Sequence, residues 1–402
     1  MTYRPTSPST MVIGQSGGAT AVINASLVGA LAAARETGQV GRVLGMRNGI
    51  EGLLGGRLID LTDLDADRCA VLSRTPSAAL GTGRYKLQDE DLDPILAACE
   101  RQNIRWFLYI GGNDSADTAL RLARHAEATG YDLKVMSIPK TIDNDLPEMH
   151  CSPGYGSIAR YLANAVRDAT YDTLASPQLY PVKFIEVMGR DAGWVTAACA
   201  LGCSGDEADL APLLLLPERP PASTDAVLAL VRADIARRGW SVVVVPETLR
   251  DAGNRHLGGD TPDYVDSFGH QYFPSTGAAL SRLLTGEGIR ARYEKPGTAA
   301  RMSISMASPV DLAQAEGLGR MAAEAALRGI TAHMPAVESY EDGWSGMALV
   351  PVERVANRVR TLDDAFIGDD GHSVTEAFFD YALPLLGPDP FPPYILLHGH
   401  PG

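Results

Sequence analysis

Cysteine is scarce in this chain, and positive charge is outnumbered. Five cysteines, Cys69, Cys99, Cys151, Cys199 and Cys203, are scattered over 402 residues. That is too few for a disulfide framework, and an odd count leaves one unpaired, so a reducing cytoplasm is the expected home. Lys+Arg 35 against Asp+Glu 49 leaves a net charge of −14, which argues against nucleic acid or an anionic membrane as partner. No apolar run reaches the roughly 18 residues of a membrane span. The opening MTYRPTSPST lacks the apolar stretch of a secretory signal. What is present is a globular composition, 45% hydrophobic and 21% charged. At roughly 150 residues per domain, the length predicts two or three domains.

Short β-rich runs alternate with long helical stretches. The runs are Met11 to Gly14, Trp106 to Ile110, Val135 to Ile138, Phe184 to Val187 and Ser241 to Val245. This is the βαβ texture of parallel sheets covered on both faces. Helices are expected over Ala21 to Ala34, Ala116 to Glu127 and Asp225 to Arg238, and after Ser157, where Ile158, Leu162, Ala165, Val166 and Ala169 form one apolar stripe. Asp251 to Pro274, rich in Gly, Asp, Pro and His without a period, reads as a long loop. The last two dozen residues carry six prolines and are expected to wrap the surface.

In open α/β sheets, ligands bind beyond the carboxyl ends of the strands. Four such ends are unusual here. Gln15-Ser16-Gly17-Gly18-Ala19-Thr20 is a small-residue turn whose backbone amides could approach a phosphate. It has neither the G-x-G-x-x-G nor the G-x-x-x-x-G-K-[ST] spacing, and a plain strand-to-helix turn fits it equally well. Gly111-Gly112-Asn113-Asp114-Ser115 puts a carboxylate beside a second such turn, with helix capping by Asp114 or Ser115 as the simpler account. Pro139-Lys140-Thr141-Ile142-Asp143-Asn144-Asp145 sets two carboxylates beside a lysine, a combination suited to a general base with a metal or phosphate partner. Met188-Gly189-Arg190-Asp191-Ala192-Gly193 places an arginine between glycines.

Together these segments resemble the phosphofructokinase family. In order, the likeness runs through GQSGGATAVINAS, TPSAALGTGRYKL, GGNDS, PKTIDND, GYGS, EVMGRDAG, the PET of Pro246 to Thr248 and PGTAAR from Pro296, with a weaker echo in FFDYALPLL. TIDND and EVMGR together are the most specific. The resemblance implies an α/β chain of two similar Rossmann-like three-layer domains with the active site in the cleft between them. Residues 10–154 plus about 300–350 would form the donor-phosphate domain, and 155–299 plus about 351–402 the sugar-phosphate domain. It implies Mg²⁺-dependent phosphoryl transfer to the 1-hydroxyl of fructose 6-phosphate. By likeness Asp143 would be the base, with Thr141 and Asp145 beside it. Gly17, Gly18, Gly112 and Ser115 would hold the donor phosphate, with Arg84 neutralising it. Met188, Gly189, Arg190, Glu247, Arg292 and Arg301 would meet the sugar phosphate. A loose, charge-spread transition state calls for this mixture of amides and cations.

Two positions address the donor. ATP-using members are similar to GGDGS and PGTIDND, whereas Asp114 and Lys140 here resemble the pyrophosphate-dependent branch. The physics agrees: a carboxylate at 114 fills the room, and repels the charge, of an α-phosphate leading to adenosine, while Lys140 offers a cation to a short donor. At about 4 Å and an effective dielectric of about 20, two unit charges interact by about 4 kcal/mol, enough to reverse a donor preference. The expected reaction is therefore freely reversible transfer from pyrophosphate to fructose 6-phosphate by a homodimer or homotetramer. Two other readings remain open: an ATP-dependent 6-phosphofructokinase, and a non-catalytic sugar-phosphate-sensing subunit.

Three departures from the family pattern stand out. Asn113 occupies a place where many members have a metal-binding Asp, leaving Asn113 and Asp114 as metal candidates, with Asp143 or Asp145 as further carboxylates. Thr298 replaces a common histidine. Gln178-Leu179-Tyr180-Pro181 lacks the arginine that a neighbouring subunit often lends, and Lys183 is the nearest basic substitute. Elsewhere plain readings prevail. Cys199 and Cys203 read as buried small side chains, His398 and His400 as a solvated tail, and Phe378, Phe379 and Tyr381, with the aromatic and acidic residues from Ser339 to Trp344, as packing and surface.

Overall fold

The computed structural model describes residues 9–265, 271–341, 343–395 and 397. Among them, the strands in chain order are β1 (Thr10–Gln15), β2 (Arg42–Met46), β3 (Leu58–Asp60), β4 (Ile104–Gly111) and β5 (Lys134–Pro139). Then follow β6 (Val182–Val187), β7 (Leu213–Leu214), β8 (Ser241–Pro246), β9 (Tyr264–Val265) and β10 (Gln271–Tyr272). The last are β11 (Ala291–Glu294), β12 (His333–Glu341) and β13 (Trp344–Pro351). The chain divides into two units, one of residues 1–157 and 301–360, the other of 158–300 and 361–402. Residues 351–360, assigned to the second domain from sequence, fall in the first unit because Val352 and Val355 are buried against Met334 and Ala336 of β12.

The first unit is built on a seven-stranded sheet in the order β13-β12-β5-β4-β1-β2-β3. β2, β1, β4, β5 and β12 run parallel, while β3 and β13 close the edges antiparallel. Alternation along each strand sends side chains to opposite faces. Met11, Ile13, Leu108, Ile110, Met136 and Ile138 pack on the helices Ile23–Glu36 and Pro309–Leu327. Val12, Leu44, Phe107, Tyr109 and Val135 pack on Leu92–Arg101 and Asn113–Thr129. These two cores make a three-layer arrangement. Strand order reverses between β1 and β4, so the carboxyl ends of those strands flank a topological switch point, where doubly wound sheets hold ligands.

The second unit has a parallel sheet ordered β11-β6-β8-β7. Val182, Phe184, Val243 and Val245 are buried against Val227, Leu228 and Val231 of the helix Thr224–Arg238 and Leu280 and Leu284 of Thr276–Gly286. The expected helix after Ser157 is Tyr155–Ala175; its Ile158, Leu162, Val166 and Ala169 are buried and Ala165 is half-buried. Helices and strands extend one to three residues beyond the apolar runs that reveal them. The exception is the first helix, which begins at Ile23 rather than Ala21. The stretch Asp251 to Pro274 is not wholly irregular: an Arg250–His256 bridge and the β9–β10 ribbon interrupt it.

The proline-rich tail lies along Tyr155–Ala175, tied down by that helix's polar side chains. Arg160 donates to the carbonyl of Leu386 at 2.7 Å, Asn164 to Pro390 at 3.0 Å and Arg167 to Pro392 at 2.5 Å. The Tyr394 hydroxyl donates to Asp168 at 2.5 Å. Prolines have no N–H to satisfy, so the carbonyls alone need partners. His398 and His400 lie outside the described residues. Cys199 and Cys203 are buried, and burial pushes the Cys203 thiol up to about 12. Phe378 and Tyr381 join Phe366 and Trp194 in an aromatic cluster, with Phe366 and Tyr381 stacked at 5.2 Å.

Candidate active site

In the first unit three turns converge because β1, β4 and β5 are neighbours and parallel. Gly111 pairs with Pro139 in register, and the Lys140 N–H donates to the Gly111 carbonyl at 2.9 Å. The Ser16 and Ser115 hydroxyls meet at 2.5 Å, linking the turns after β1 and β4. Ser115 is buried and shared between turns, and the helix Asn113–Thr129 starts at Gly112 without a side-chain cap. Neither Asp114 nor Ser115 therefore acts as the cap. Asp114 is exposed on the first turn of that helix.

Gly17 does not offer its amide as sequence suggests. With φ at +73° it folds the loop back, its N–H donates to the Gly83 carbonyl at 3.1 Å, and its own carbonyl accepts from the Thr82 hydroxyl at 2.6 Å. The glycine loop is thus closed against the GTGRYKL segment, which brings Arg84 to the same turn. Into this loop reaches Lys140. It is 4% exposed, and its Nζ donates to the Gly18 carbonyl at 2.7 Å. Burial, then the nearby charges of Arg301 and Arg84, lower its pKa to about 8, while Asp143 and Asp145 pull the other way.

Arg301, grouped by its motif with the sugar-phosphate arginines, packs its guanidinium on the glycine loop, so close that a Cβ on Gly18 would stand 2.6 Å from its Nη1, and its carbonyl accepts the Ala21 N–H at 3.0 Å. It therefore stands in the first unit with the donor-side groups. Arg190, Arg292, Met188, Gly189 and Glu247 are in the other unit. The chain passes from one unit to the other between Ala300 and Arg301.

Asp143 and Asp145 flank a residue that sequence reading passed over. Asn144 is fully buried with φ at +54°, its side-chain carbonyl accepts the Ser152 N–H at 3.0 Å, and its Oδ1 contact pins the turn from within. Asp143 donates its N–H to the Thr141 hydroxyl at 3.0 Å. GYGS is fixed by the buried Asp311, whose carboxylate accepts from Gly154 N, Ser157 N and the Ser157 hydroxyl at 2.9, 2.9 and 2.6 Å.

Asn113 is not placed to ligate a metal. Its amide nitrogen donates to the Arg358 carbonyl and its amide oxygen accepts the Asn357 N–H. Both ends of the side chain are committed to backbone. Among the described residues, no three His, Cys, Asp or Glu gather into a cage.

In the second unit the candidates lie at the carboxyl ends of β6 and β8. The Glu247 N–H donates to the Val187 carbonyl at 2.9 Å, which sets the PET turn beside Met188. Gly189 has φ at +127°, and a Cβ there would press 3.0 Å from Val195. Arg190 is exposed and itself left-handed, φ +53°, a backbone state that non-glycine residues hold mainly at functional or strained positions. Glu218 accepts the N–H groups of Gly193 and Leu362, each at 2.8 Å, and so fixes the far side of that turn. Beneath, the buried Glu186 binds Lys295 at 2.6 Å. Burial opposes the Lys295 charge, but this hydrogen bond and ion pair hold its pKa above the usual lysine value.

Lys183 is no substitute for a missing arginine. It is buried, and its ammonium is taken up by Asp172 at 2.6 Å and Glu294 at 3.1 Å. Arg292 instead stacks over Tyr180, 3.9 Å from the ring centroid, with Asp172 at 3.7 Å.

A buried ammonium against a glycine loop, with carboxylates on the next strand end at a switch point, defines an α/β protein built to handle phosphate groups. The chain belongs to the phosphofructokinase family, whose model matches residues 10–326. It is 38% identical to a pyrophosphate--fructose 6-phosphate 1-phosphotransferase of Xanthomonas campestris, with 96% of each chain covered. It is 36% identical to the protein of the same name from Halomonas elongata, over 94% of this chain and 92% of the relative. The crystal structure of a pyrophosphate-dependent phosphofructokinase from Nitrosospira multiformis superimposes with a TM-score of 0.86 at 31% identity, covering 97% of this chain and 94% of that one.

Proposed function

We propose that the protein transfers a phosphoryl group reversibly between pyrophosphate and the 1-hydroxyl of fructose 6-phosphate, giving fructose 1,6-bisphosphate and phosphate. The observation that carries this reading is Lys140, a buried cation aimed at the glycine loop, a short donor's natural counter-charge. The full-length likeness to pyrophosphate-using enzymes supports it.

In this reading Asp143 accepts the proton of the sugar hydroxyl as its oxygen attacks the donor phosphorus, and Thr141 and Asp145 flank it. The bridging oxygen leaves with the departing phosphate, whose growing charge Lys140, Arg84 and Arg301 stabilise from groups already oriented by the fold. Arg190, Arg292, Met188, Gly189 and Glu247 bind the sugar phosphate, the arginines through forked donors that match its oxygens. Mg²⁺ belongs to this reading as well: it asks for only one or two carboxylates beside the donor phosphates, and Asp114, Asp143 and Asp145 would supply them. Bound there, the ion would supply charge neutralisation at the donor oxygens.

The protein is read as cytoplasmic, consistent with five free, buried cysteines. Among the described residues no helix is long and apolar enough to cross a membrane. A homodimer or homotetramer is supported by the exposed Leu179 and Tyr293 near the edge strand β11. The decisive experiment is a donor panel on purified protein with pyrophosphate, ATP and polyphosphate. Fructose 1,6-bisphosphate formed chiefly from pyrophosphate is the expected result. Preference for ATP would overturn the donor assignment, and absence of turnover with all three donors would favour a sensing subunit.

A further inference from the structure

The residues that hold the Asp143 turn come from a distant part of the chain. Arg360 closes the first unit's second segment, and its backbone N–H donates to the Asp145 carbonyl at 2.7 Å. Its guanidinium donates to the Asn144 carbonyl through Nε at 3.2 Å and Nη2 at 2.9 Å. Nη1 donates to the carbonyls of Met149 at 2.6 Å and His150 at 3.1 Å. One side chain thus grips both ends of the excursion from Asn144 to His150, and the main chain of the same residue holds Asp145.

Two residues upstream the same strand of chain is clamped to the other turn. Asn113 bonds the backbone of Asn357 and Arg358, and the Asn357 amide donates to Asp117 at 2.8 Å. Residues 357–360 therefore form a strap joining the turn that bears Asp114 to the turn that bears Asp143. This gives Asn113 a physical reason. An amide can donate to the Arg358 carbonyl and accept from the Asn357 N–H at once, whereas a carboxylate has no proton for the first bond.

We propose that Arg360 is a positioning residue for phosphoryl transfer: by holding the carbonyls of Asn144, Met149 and His150 it keeps the turn in the left-handed form that aims the Asp143 and Asp145 carboxylates. The inference rests on the proposed role of Asp143 as base. An arginine is required because only its planar fork presents several donors in fixed directions, where lysine offers a single mobile point of charge. Asn144 adopts φ +54°, a left-handed state open to asparagine, and the bonds to its backbone and side chain fix it there. Releasing the guanidinium frees the turn to relax, and misplacement by about 1 Å costs a reaction on the order of 10²-fold.

The test compares Arg360→Ala, Arg360→Lys and Asp143→Asn with the wild-type protein, with kcat, both substrate KM values and Tm measured for each. Arg360→Ala is expected to lower kcat by about 10²-fold in both directions while each KM stays within about threefold, because in this proposal the arginine acts through the Asp143 turn, its guanidinium being spent on the carbonyls of Asn144, Met149 and His150. Added guanidinium should restore part of kcat, and Arg360→Lys should give an intermediate loss. If Arg360→Ala proves insoluble, the lysine variant carries the same comparison. A folded variant with lower Tm and unchanged kcat would make Arg360 a structural pin only and overturn the proposal. Loss confined to KM would overturn it too. Should Asp143→Asn retain wild-type kcat, the base assignment fails by itself, whatever Arg360 does.

Discussion

The ammonium of Lys140 donates to the carbonyl of Gly18 across 2.7 Å, bridging the turn after β5 to the turn after β1. The bond holds a charge inside the protein at the point where a donor phosphate would arrive. Burial weakens that charge, and Arg301 and Arg84 weaken it further, bringing its pKa to about 8. A cation so poised attracts an incoming anion more strongly than a solvated lysine, since little water screens it. The neighbouring Asp143 and Asp145 carboxylates supply the opposing charge that keeps it protonated near neutral pH.

The first prediction concerns pH. If charged Lys140 stabilises the leaving phosphate, kcat/KM for pyrophosphate falls as pH rises through about 8, the pKa of Lys140 in the folded protein. Lys140→Arg keeps the charge to far higher pH, so its residual activity should lose that alkaline limb. A pH–rate profile of both proteins checks this, and the same limb in the arginine variant would assign it to another group.

The second concerns stability. Below about pH 8 Lys140 is charged in both folded and unfolded chains, and the cost of burying its charge is fully felt. Between about 8 and 10.5 the folded protein has lost a proton that the unfolded chain keeps, so this residue's contribution to stability improves as pH rises across that window. Lys140→Met keeps the length without the charge. At pH 7 it should stabilise the protein on the order of 1 kcal/mol, about 2–4 °C in Tm, while abolishing pyrophosphate turnover. Parallel loss of both would mean that the bond to Gly18 outweighs the burial cost. Thermal unfolding at pH 7 and pH 9 decides between these, because the variant's advantage should shrink at the higher pH.

Much of the site was legible because strand ends announce themselves: apolar runs followed by Gly, Asp and Lys marked the turns after β1, β4, β5 and β6. What stayed hidden depends on residues remote in sequence. Arg360 sits in no recognisable motif, and its carbonyl partners have no side-chain signature. Gly17 looked like a phosphate cradle, but its amide faces Gly83, a pairing that follows from φ and not from residue type. Lys183 looked like available charge until Asp172 on the preceding helix and Glu294 on the distant strand β11 closed on it. Arg301 was grouped with Arg190 and Arg292 by its motif, whereas its guanidinium packs on the Gly18 loop.

The third prediction follows from that regrouping. Arg190→Ala and Arg292→Ala should raise KM for fructose 6-phosphate, by about tenfold or more for the loss of charge-assisted bonds of about 1.5–3 kcal/mol, and leave pyrophosphate KM nearly unchanged. Arg301→Ala, with its guanidinium on the Gly18 loop, should raise pyrophosphate KM as well. Steady-state kinetics with each substrate varied separates the two patterns. An Arg301→Ala effect confined to the sugar phosphate would return that residue to the other group.

The fourth prediction isolates donor choice. Asp114 is exposed on the first turn of Asn113–Thr129, makes no cap, and stands beside the turn that carries Lys140. Its carboxylate is proposed to exclude a nucleoside triphosphate by bulk and repulsion, a penalty on the wrong donor more than a gain for the right one. Asp114→Gly should therefore let ATP support measurable turnover. Lys140→Gly should act otherwise, lowering pyrophosphate turnover by roughly 10² to 10³-fold, the scale of a lost electrostatic stabiliser. Because both groups face one donor, the double variant should shift furthest toward ATP and by more or less than the sum of the singles. The quantity to measure is the ratio of kcat/KM for pyrophosphate to that for ATP across wild type, both singles and the double. If the residues only brace their turns, both activities fall together with Tm and the ratio stays constant, an outcome that would remove them from donor selection.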